Sequence, residues 1–451
     1  MCLNKLKPIR RLQMSQISLS EDQRRVFDKL EWFLFQDDTC KELRIGGLAG
    51  TGKTTVLAHF IKSQFTRIRS TYPDTAVGAL TGKAAERINF ALGEANTQKS
   101  AKTLHKILFT VEMLDSSPQE FEDAVATELA DPTVSRGSTL LDDLMREVKD
   151  EKPKDDFESR IRIVENLRLP SLIFVDEASM VSKEYYDLLM DPSKGVRKIV
   201  FIGDHGQLPP ITKPKEPKFN LMGTPHITLT EIHRQLKGNP VIELAHDIRK
   251  AKNARQIQNM INASPLRKIS PDFAIRGSIE YATRDGFTWN DIAHIVYKNA
   301  TRCEINRKFI DALGNEQDAP VICLKNTELP NGEYVANGSR GLLKKRRPMV
   351  SRNGSSYMSE ITIDFPHIDV LCTMKAPNDA WLSEKYSRWF KDRTIVPTDY
   401  AYAITCHKAQ GSSWKTVVVW TKDMVQYDFD DYKRWVYTAI TRAEENVMFI
   451  V

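Results

Sequence analysis

The sequence predicts an α/β protein, with parallel sheets wound by helices and more than one folding unit. Three observations carry that prediction. Residues 47 to 54 read Gly-Leu-Ala-Gly-Thr-Gly-Lys-Thr, a complete phosphate loop set between an apolar segment (Leu43 to Gly46) and a helix-like run (Thr54 to Phe65). Short apolar runs then alternate with helical patterns along the chain, the rhythm of strand and crossover helix. At 451 residues the chain exceeds what a single core serves, so it should divide.

Taken in order, the runs are Thr75 to Leu80, Ser171 to Val175, Lys198 to Ile202, His226 to Leu229, Thr416 to Trp420 and Asn446 to Val451. Several end in polar residues, at the carboxyl ends of strands where α/β sheets hold ligands. Two segments break the rhythm and read as insertions. Residues 110 to 165 look helical and polar, whereas 315 to 397 carry Asn331-Gly332, Asn337-Gly338 and Asn353-Gly354 turns and read as short strands. No internal repeat of fixed period stands out.

Composition (41% hydrophobic, 27% charged) fits an ordinary soluble globular protein. The cysteines (Cys2, Cys40, Cys303, Cys323, Cys372, Cys406) never form a C-x-x-C pair, which argues against zinc ribbons, iron–sulfur clusters and disulfide frameworks and favours a reducing cytoplasm. The basic N-terminus (Lys5, Lys7, Arg10, Arg11) lacks the apolar stretch of a signal peptide, and no run approaches a membrane span. The expectation is a protein neither secreted nor membrane-bound. Its net charge of +6 conceals an asymmetry: residues 112 to 158 hold 15 Asp/Glu against 5 Lys/Arg, a net of −10, so the rest carries +16. A basic body suggests a polyanionic partner, because clustered Lys/Arg release phosphate counterions on binding.

The phosphate loop points to a nucleoside triphosphate. Gly47, Gly50 and Gly52 let the backbone N–H groups of the loop, through Thr51, Thr54 and Thr55, converge on phosphate oxygens. Lys53 reaches the β/γ-phosphates and the Thr54 hydroxyl sits on Mg²⁺. Asp176-Glu177-Ala178-Ser179 follows a strand end, which assigns Asp176 to the metal and Glu177 to general-base catalysis. The loop Phe201 to Pro210 begins at another strand end, and its Gln207 has the reach to report on a γ-phosphate.

The Gly203-Asp204-His205-Gly206-Gln207-Leu208-Pro209-Pro210 string, with the Asp-Glu-Ala-Ser box, resembles motifs III and II of superfamily 1 helicases. Ser20-Glu21-Asp22-Gln23 resembles the Q motif, whose glutamine reads adenine; the same residues also read as a capping box, and both roles can coexist. Ala79 to Ala85 resembles motif Ia and Thr103 to Leu108 motif Ib, implying that Thr81, Lys83 and His105 grip a strand. Leu229 to Arg234 resembles motif IV, Ala403 to Ser412 motif V, implying that Thr405 and His407 grip the strand and that Gly411 borders the nucleotide, and Tyr437 to Ala443 motif VI. Arg234 and Arg442 thereby become expected arginine fingers.

The Thr405-Cys406-His407-Lys408-Ala409-Gln410-Gly411 string, Val321 to Asn326 and Asn337 to Gly341 resemble most the Dda/RecD-like 5′-to-3′ branch, and within it the phage-encoded kind. One departure is Ser413, where many relatives place a ribose-gripping Glu. The resemblance implies two RecA-like lobes: 18 to 109 with 166 to 225, which binds ATP, and 226 to 314 with 398 to 451. A basic tail (1 to 17), an acidic pin or wedge insertion (110 to 165) and an SH3-like insertion (315 to 397) complete the expected plan. It further implies a monomeric, ATP- and Mg²⁺-dependent motor on single-stranded and forked DNA, with a basic or single-strand-binding replication protein as partner. Its setting would be the cytoplasm, the bacterial host's if phage-encoded. The best wedge candidates are Phe109 and Phe121. Lys344-Lys345-Arg346-Arg347 reads as a solvated hairpin, and Tyr386, Trp389 and Phe390 as a helix face better suited to core packing than to base stacking. An RNA helicase of the same superfamily, or a nucleotide-switched assembly protein, remains open on the sequence.

Overall fold

Alternation along two central strands sets the layering of the first half. Leu172 and Phe174 pack on one side of the sheet while Ile173 and Val175 pack on the other, and Val200 and Ile202 alternate with Ile199 and Phe201 in the same way. A strand buried on both faces has to be apolar throughout and covered by helices on both sides, as parallel sheets are. The computed structural model describes residues 19–93, 101–113, 161–211, 217–231, 238–324, 327–328, 334–335, 338–349, 357–365, 371–384, 395–424 and 428–450.

The first half opens with helix α1 (Glu21–Phe35), strand β1 (Glu42–Gly47), α2 (Lys53–Ser63), α3 (Phe65–Thr71), β2 (Thr75–Ala79) and α4 (Gly82–Leu92). Next come β3 (Lys102–Thr103), α5 (Leu104–Leu108), β4 (Phe109–Met113), β5 (Ile161–Glu165), β6 (Leu172–Asp176), α6 (Lys183–Met190), β7 (Lys198–Gly203) and β8 (Ile227–Leu229). The parallel sheet has the order β3-β2-β6-β7-β1-β8. The expected helix Thr54 to Phe65 ends instead at Ser63, and Gln64 serves both as its C-cap and as the N-cap of α3. The ends of the acidic segment, expected to look helical, are strands: β4 and β5 form an antiparallel ribbon running from Phe109↔Glu165 to Met113↔Ile161. Residues 114–160 lie outside the described residues.

The second half contains α7 (Pro240–Lys250), α8 (Ala254–Ala263), β9 (Arg267–Ile269), α9 (Pro271–Tyr281), β10 (Ile292–Val296) and α10 (Asn299–Leu313). After an interruption it resumes with β18 (Ala403–Thr405), α11 (Cys406–Ala409), β19 (Trp414–Val419), α12 (Phe429–Ile440) and β20 (Ala443–Ile450). Its sheet is again parallel, in the order β18-β10-β19-β20-β9. The interruption is an antiparallel sheet of β11 (Ala319–Cys323), β14 (Arg340–Met349), β15 (Met358–Asp364), β16 (Cys372–Pro377) and β17 (Thr398–Tyr400), beside a small pair β12 (Thr327–Glu328) and β13 (Tyr334–Val335).

This antiparallel unit shares a core with the parallel sheet it interrupts. Val321, Leu343, Ile361 and Ile363 cluster with Ile292, Val296, Val418 and Ile450. A buried ion pair crosses the same seam, with Arg302 of α10 bonded to Asp399 of β17. The other Asp399 oxygen accepts the N–H groups of Leu382 and Tyr400, each at 2.8 Å. The basic run expected at a hairpin lies along β14. Lys344 pairs with Asp318 (2.6 Å), Arg346 pairs with Glu316 (3.0 Å) and stacks on Trp381, and the alternate residues Lys345 and Arg347 are exposed.

Candidate nucleotide and nucleic-acid site

Strand β1 ends at Gly47 and α2 starts at Lys53, so the intervening loop lies at the carboxyl edge of the first sheet, where helix N–H groups point outward. Gly50 and Gly52 adopt φ of 79° and 76°, the left-handed region that lets the loop turn so tightly. Thr51 is buried and donates its hydroxyl to the Leu48 carbonyl at 2.9 Å. Lys53 Nζ donates to the carbonyls of Gly47 (2.8 Å) and Leu48 (3.0 Å). A phosphate oxygen offers that ammonium a charged acceptor, forming hydrogen bonds roughly twice as strong as neutral ones. Thr55 is exposed on the first turn of α2.

The Thr54 hydroxyl donates to Asp176 Oδ2 at 2.9 Å, joining the helix start to the end of β6. Burial, reinforced by the adjacent Glu177, raises the Asp176 carboxyl above its ordinary range. A divalent cation at the Thr54–Asp176 pair would provide the compensating charge, and two hard oxygens suit Mg²⁺. Glu177 adopts φ 53°, costly for a non-glycine residue and typical of sites that aim a side chain. Its Oε1 lies 3.8 Å from Arg87 of α4, while its buried Oε2 has no hydrogen-bond partner.

Gln23 satisfies the capping-box reading and also reaches the phosphate loop. The reciprocal bonds with Ser20 (3.1 and 3.4 Å) close the N-terminus of α1, and its amide reaches the Thr51 carbonyl at 3.5 Å. Gln207 donates its amide to Asp204 Oδ2 at 3.4 Å and leaves Oε1 buried without a partner. Asp204, fully buried, also accepts from Gly206 N and from the Tyr437 hydroxyl, both at 2.8 Å.

That tyrosine belongs to α12 of the second half, which docks on the loop following β7. Leu208 N donates to the Thr438 hydroxyl (2.9 Å), Gln410 donates to the Leu208 carbonyl (2.8 Å), and Arg434 donates to the carbonyls of His205 (2.7 Å) and Gln207 (3.2 Å). Arg249 of α7 lies against Gly206 and over the Tyr437 ring, with its Nε buried and unpartnered. Burial, and the positive fields of Arg249, Lys53 and Arg434 against that of Asp204, lower the His205 imidazole below its usual range. Three cations from both halves therefore surround one neutral ring beside the phosphate loop.

Arg442, expected as a finger, is buried within its own half and donates to the carbonyls of Thr438 (3.2 Å) and Ser412 (3.3 Å) and to the Thr441 hydroxyl (3.3 Å). Arg234 lies outside the described residues. The sequence reading missed Arg249 and Arg434 because neither falls in a motif string that would flag it. Tyr437 and Asp204 stood inside quoted strings without a role.

Of the residues expected to grip a strand, Thr81 comes against Gly411, which was expected at the nucleotide. The Thr81 hydroxyl caps α4 by accepting from Ala84 N at 3.2 Å, and a methyl group on Gly411 (φ 74°) would stand 2.5 Å from it. Lys83 lies in the first turn of α4, and Thr405 is the N-cap of α11 with no capping bond from its side chain. Burial lowers His407 and His105 below the usual imidazole range. His105 stacks on Phe109 at 4.7 Å and contacts the Tyr185 hydroxyl at 3.2 Å. Phe109 thus sits at the root of the β4–β5 ribbon rather than at its tip. Phe121, Tyr386, Trp389 and Phe390 lie outside the described residues. Ser413 donates to the Glu444 carboxylate, so an acid does stand at the departure from the family pattern. Among the described residues, no helix is long and apolar enough to cross a membrane.

Comparison with known proteins places these features. The AAA domain family matches residues 19–270 and the UvrD-like helicase C-terminal domain family residues 400–450. The ATP-dependent RecD2 DNA helicase of Deinococcus radiodurans is 24% identical over 440 residues, covering 95% of this chain and 48% of that protein. The ATP-dependent DNA helicase PIF1 of Xenopus laevis is 24% identical over 283 residues, 55% of this chain and 42% of its own. The chain thus spans under half the length of these curated relatives. The crystal structure of Bacteroides Pif1 bound to ssDNA superposes with a TM-score of 0.53 at 17% identity, covering 96% of this chain and 92% of that one, which gives the two parallel units the fold of paired RecA-like lobes. With the phosphate loop, the Asp176 box and the interlobe docking in hand, the chain belongs to the AAA domain family.

Proposed function

We propose that the chain is an ATP-dependent DNA helicase that moves 5′-to-3′ on single-stranded DNA and separates forked duplexes, serving replication, recombination or repair, and phage-encoded. The observation that carries this reading is the direct bonding of α12 to the loop after β7, because a motor must turn events at a phosphate into displacement of one lobe against the other. The names of the relatives, DNA helicases, and the ssDNA in the Bacteroides Pif1 structure support it.

In this reading Lys53 and the amides of Gly50 to Thr55 hold the phosphates. Thr54 and Asp176 would hold Mg²⁺, which when bound neutralises phosphate charge. Glu177, held at the end of β6, accepts the proton of the attacking water, and Gln207 orients that water through its free Oε1. Arg249 and Arg434 stand where lobe 2 meets the loop and supply positive charge there, whereas Arg442 contributes only if lobe movement frees it from its carbonyls. Thr81, Lys83, His105, Thr405 and His407 contact the DNA strand, with the two imidazoles neutral and acting as hydrogen-bonding groups. We read the antiparallel sheet as the SH3-like insertion and the β4–β5 ribbon as the root of the pin. The working form is a monomer.

The test is unwinding of matched duplexes bearing only a 5′ or only a 3′ single-stranded tail, with hydrolysis measured beside DNA and RNA oligonucleotides of equal length. Unwinding of the 5′-tailed substrate and stimulation by DNA are expected. Stimulation by RNA alone would make it an RNA helicase, and hydrolysis indifferent to both would make it a nucleotide-switched assembly protein.

A further inference from the structure

The third residue of the phosphate loop has an unusual partner. Ala49 N donates to the Tyr437 hydroxyl at 2.9 Å, and the same hydroxyl donates to Asp204 Oδ2 at 2.8 Å. One oxygen of lobe 2 therefore bridges the phosphate loop and the loop after β7. The Tyr437 ring is fully buried, and its helix is fixed to the same loop through Thr438 and Arg434. His246 of α7 also bonds to the Ala49 backbone, so this residue is held from lobe 2 by two side chains.

We propose that Tyr437 is a positioning residue through which lobe 2 distinguishes a nucleoside triphosphate from a diphosphate, by competing with the terminal phosphate for the Ala49 N–H. This rests on the nucleotide-site reading above. An amide has a single proton to give, and a phosphate oxygen is a stronger acceptor than a phenol. Ala49 precedes the tight Gly50–Gly52 turn and its N–H faces lobe 2, on the side where Lys53, His205 and Gln207 gather. In the proposed arrangement a terminal phosphate held by Lys53 takes that N–H, whereas the inner phosphates are held by the amides from Gly50 onward. With a triphosphate the amide changes partner and Tyr437 keeps only Asp204. With a diphosphate the bridge stays intact. The hydroxyl thus ties lobe 2 to the phosphate loop only when the terminal phosphate is absent.

The sign of the effect follows from counting bonds. Tyr437→Phe removes the competing oxygen and keeps the ring. Free protein and diphosphate complex then both lack an acceptor for Ala49 N–H, while the triphosphate complex retains its own. The affinity for adenylyl imidodiphosphate relative to ADP, measured by calorimetry on the full chain, should rise about three- to tenfold, the worth of one net hydrogen bond. A change in both affinities by the same factor would reduce Tyr437 to a structural residue and overturn the proposal. A fall in the ratio would make Tyr437 a phosphate ligand, which also overturns it. In the unaltered protein labelled with ¹⁵N-alanine, the Ala49 amide resonance should move when ADP is exchanged for the imidodiphosphate, so the inference is checked even if the variant fails to fold. A stationary resonance refutes it. Should the unaltered protein bind neither nucleotide, the nucleotide reading and this inference fall together, whereas nucleotide binding with an unchanged ratio sinks the inference alone.

Discussion

Replacing Gly411 by alanine tests whether the two lobes touch where motif Ia meets motif V. Gly411 has φ 74°, and the added methyl would stand 2.5 Å from Thr81 Oγ1 and 3.3 Å from Cγ2. Holding an alanine in the left-handed region costs about 1–2 kcal/mol. The methyl also displaces Thr81, whose hydroxyl caps α4 through Ala84 N, and a lost cap costs about 1 kcal/mol. Gly411→Ala is therefore expected to destabilise by roughly 2–3 kcal/mol. Thr81→Ala alone loses the cap, about 1 kcal/mol. The double variant loses the cap and keeps the backbone strain but has no clash, so it should be no less stable than Gly411→Ala. Urea unfolding of the four proteins gives the cycle, with a coupling of about 1 kcal/mol. Additive costs would show that residue 411 does not press on Thr81 and would refute the contact between lobes at this point.

Lys53→Ala should leave the fold intact and reduce ATP hydrolysis by at least ~10²-fold, as loss of a donor to developing charge does; turnover above about one per cent of the original would remove the loop from the catalytic site. Arg302→Ala strands the buried Asp399 carboxylate and should cost about 3–5 kcal/mol near neutral pH. Burial already raises the Asp399 carboxyl against the pull of Arg302, so the variant binds a proton more readily folded than unfolded. Its stability deficit should then grow as pH rises from the ordinary carboxylate range, and a deficit independent of pH would contradict the burial of that charge. Because burial keeps His105 and His407 below the usual imidazole range, both are neutral near pH 7, and the salt dependence of single-strand binding should have the same slope at pH 7 and pH 8. A slope that flattens with rising pH would show imidazolium contacts to phosphate.

Much of the candidate nucleotide site was legible because its parts are contiguous in sequence. The strand–loop–helix of Gly47 to Thr54 and the carboxylates closing β6 are local devices, whose spacing fixes where amides, ammonium and carboxylate point. The strands Thr75–Ala79, Leu172–Asp176, Lys198–Gly203 and Ile227–Leu229 were likewise readable, since an apolar run between helical patterns leaves little choice of state. Shorter or less regular segments such as Ala403–Thr405 and Arg267–Ile269 became strands only through pairing with distant partners. Contacts between residues hundreds of positions apart had no sequence signal at all. Arg249, Arg434 and Tyr437 enter the candidate site because two helices of lobe 2 pack on the loop after β7, and the Arg442 guanidinium, expected as a finger, is engaged here by nearby carbonyls of its own lobe. A motif specifies the chemistry a residue carries. Which charged group then faces the phosphate is decided by burial and by the partners that folding places around it, and those are properties of the packed chain alone.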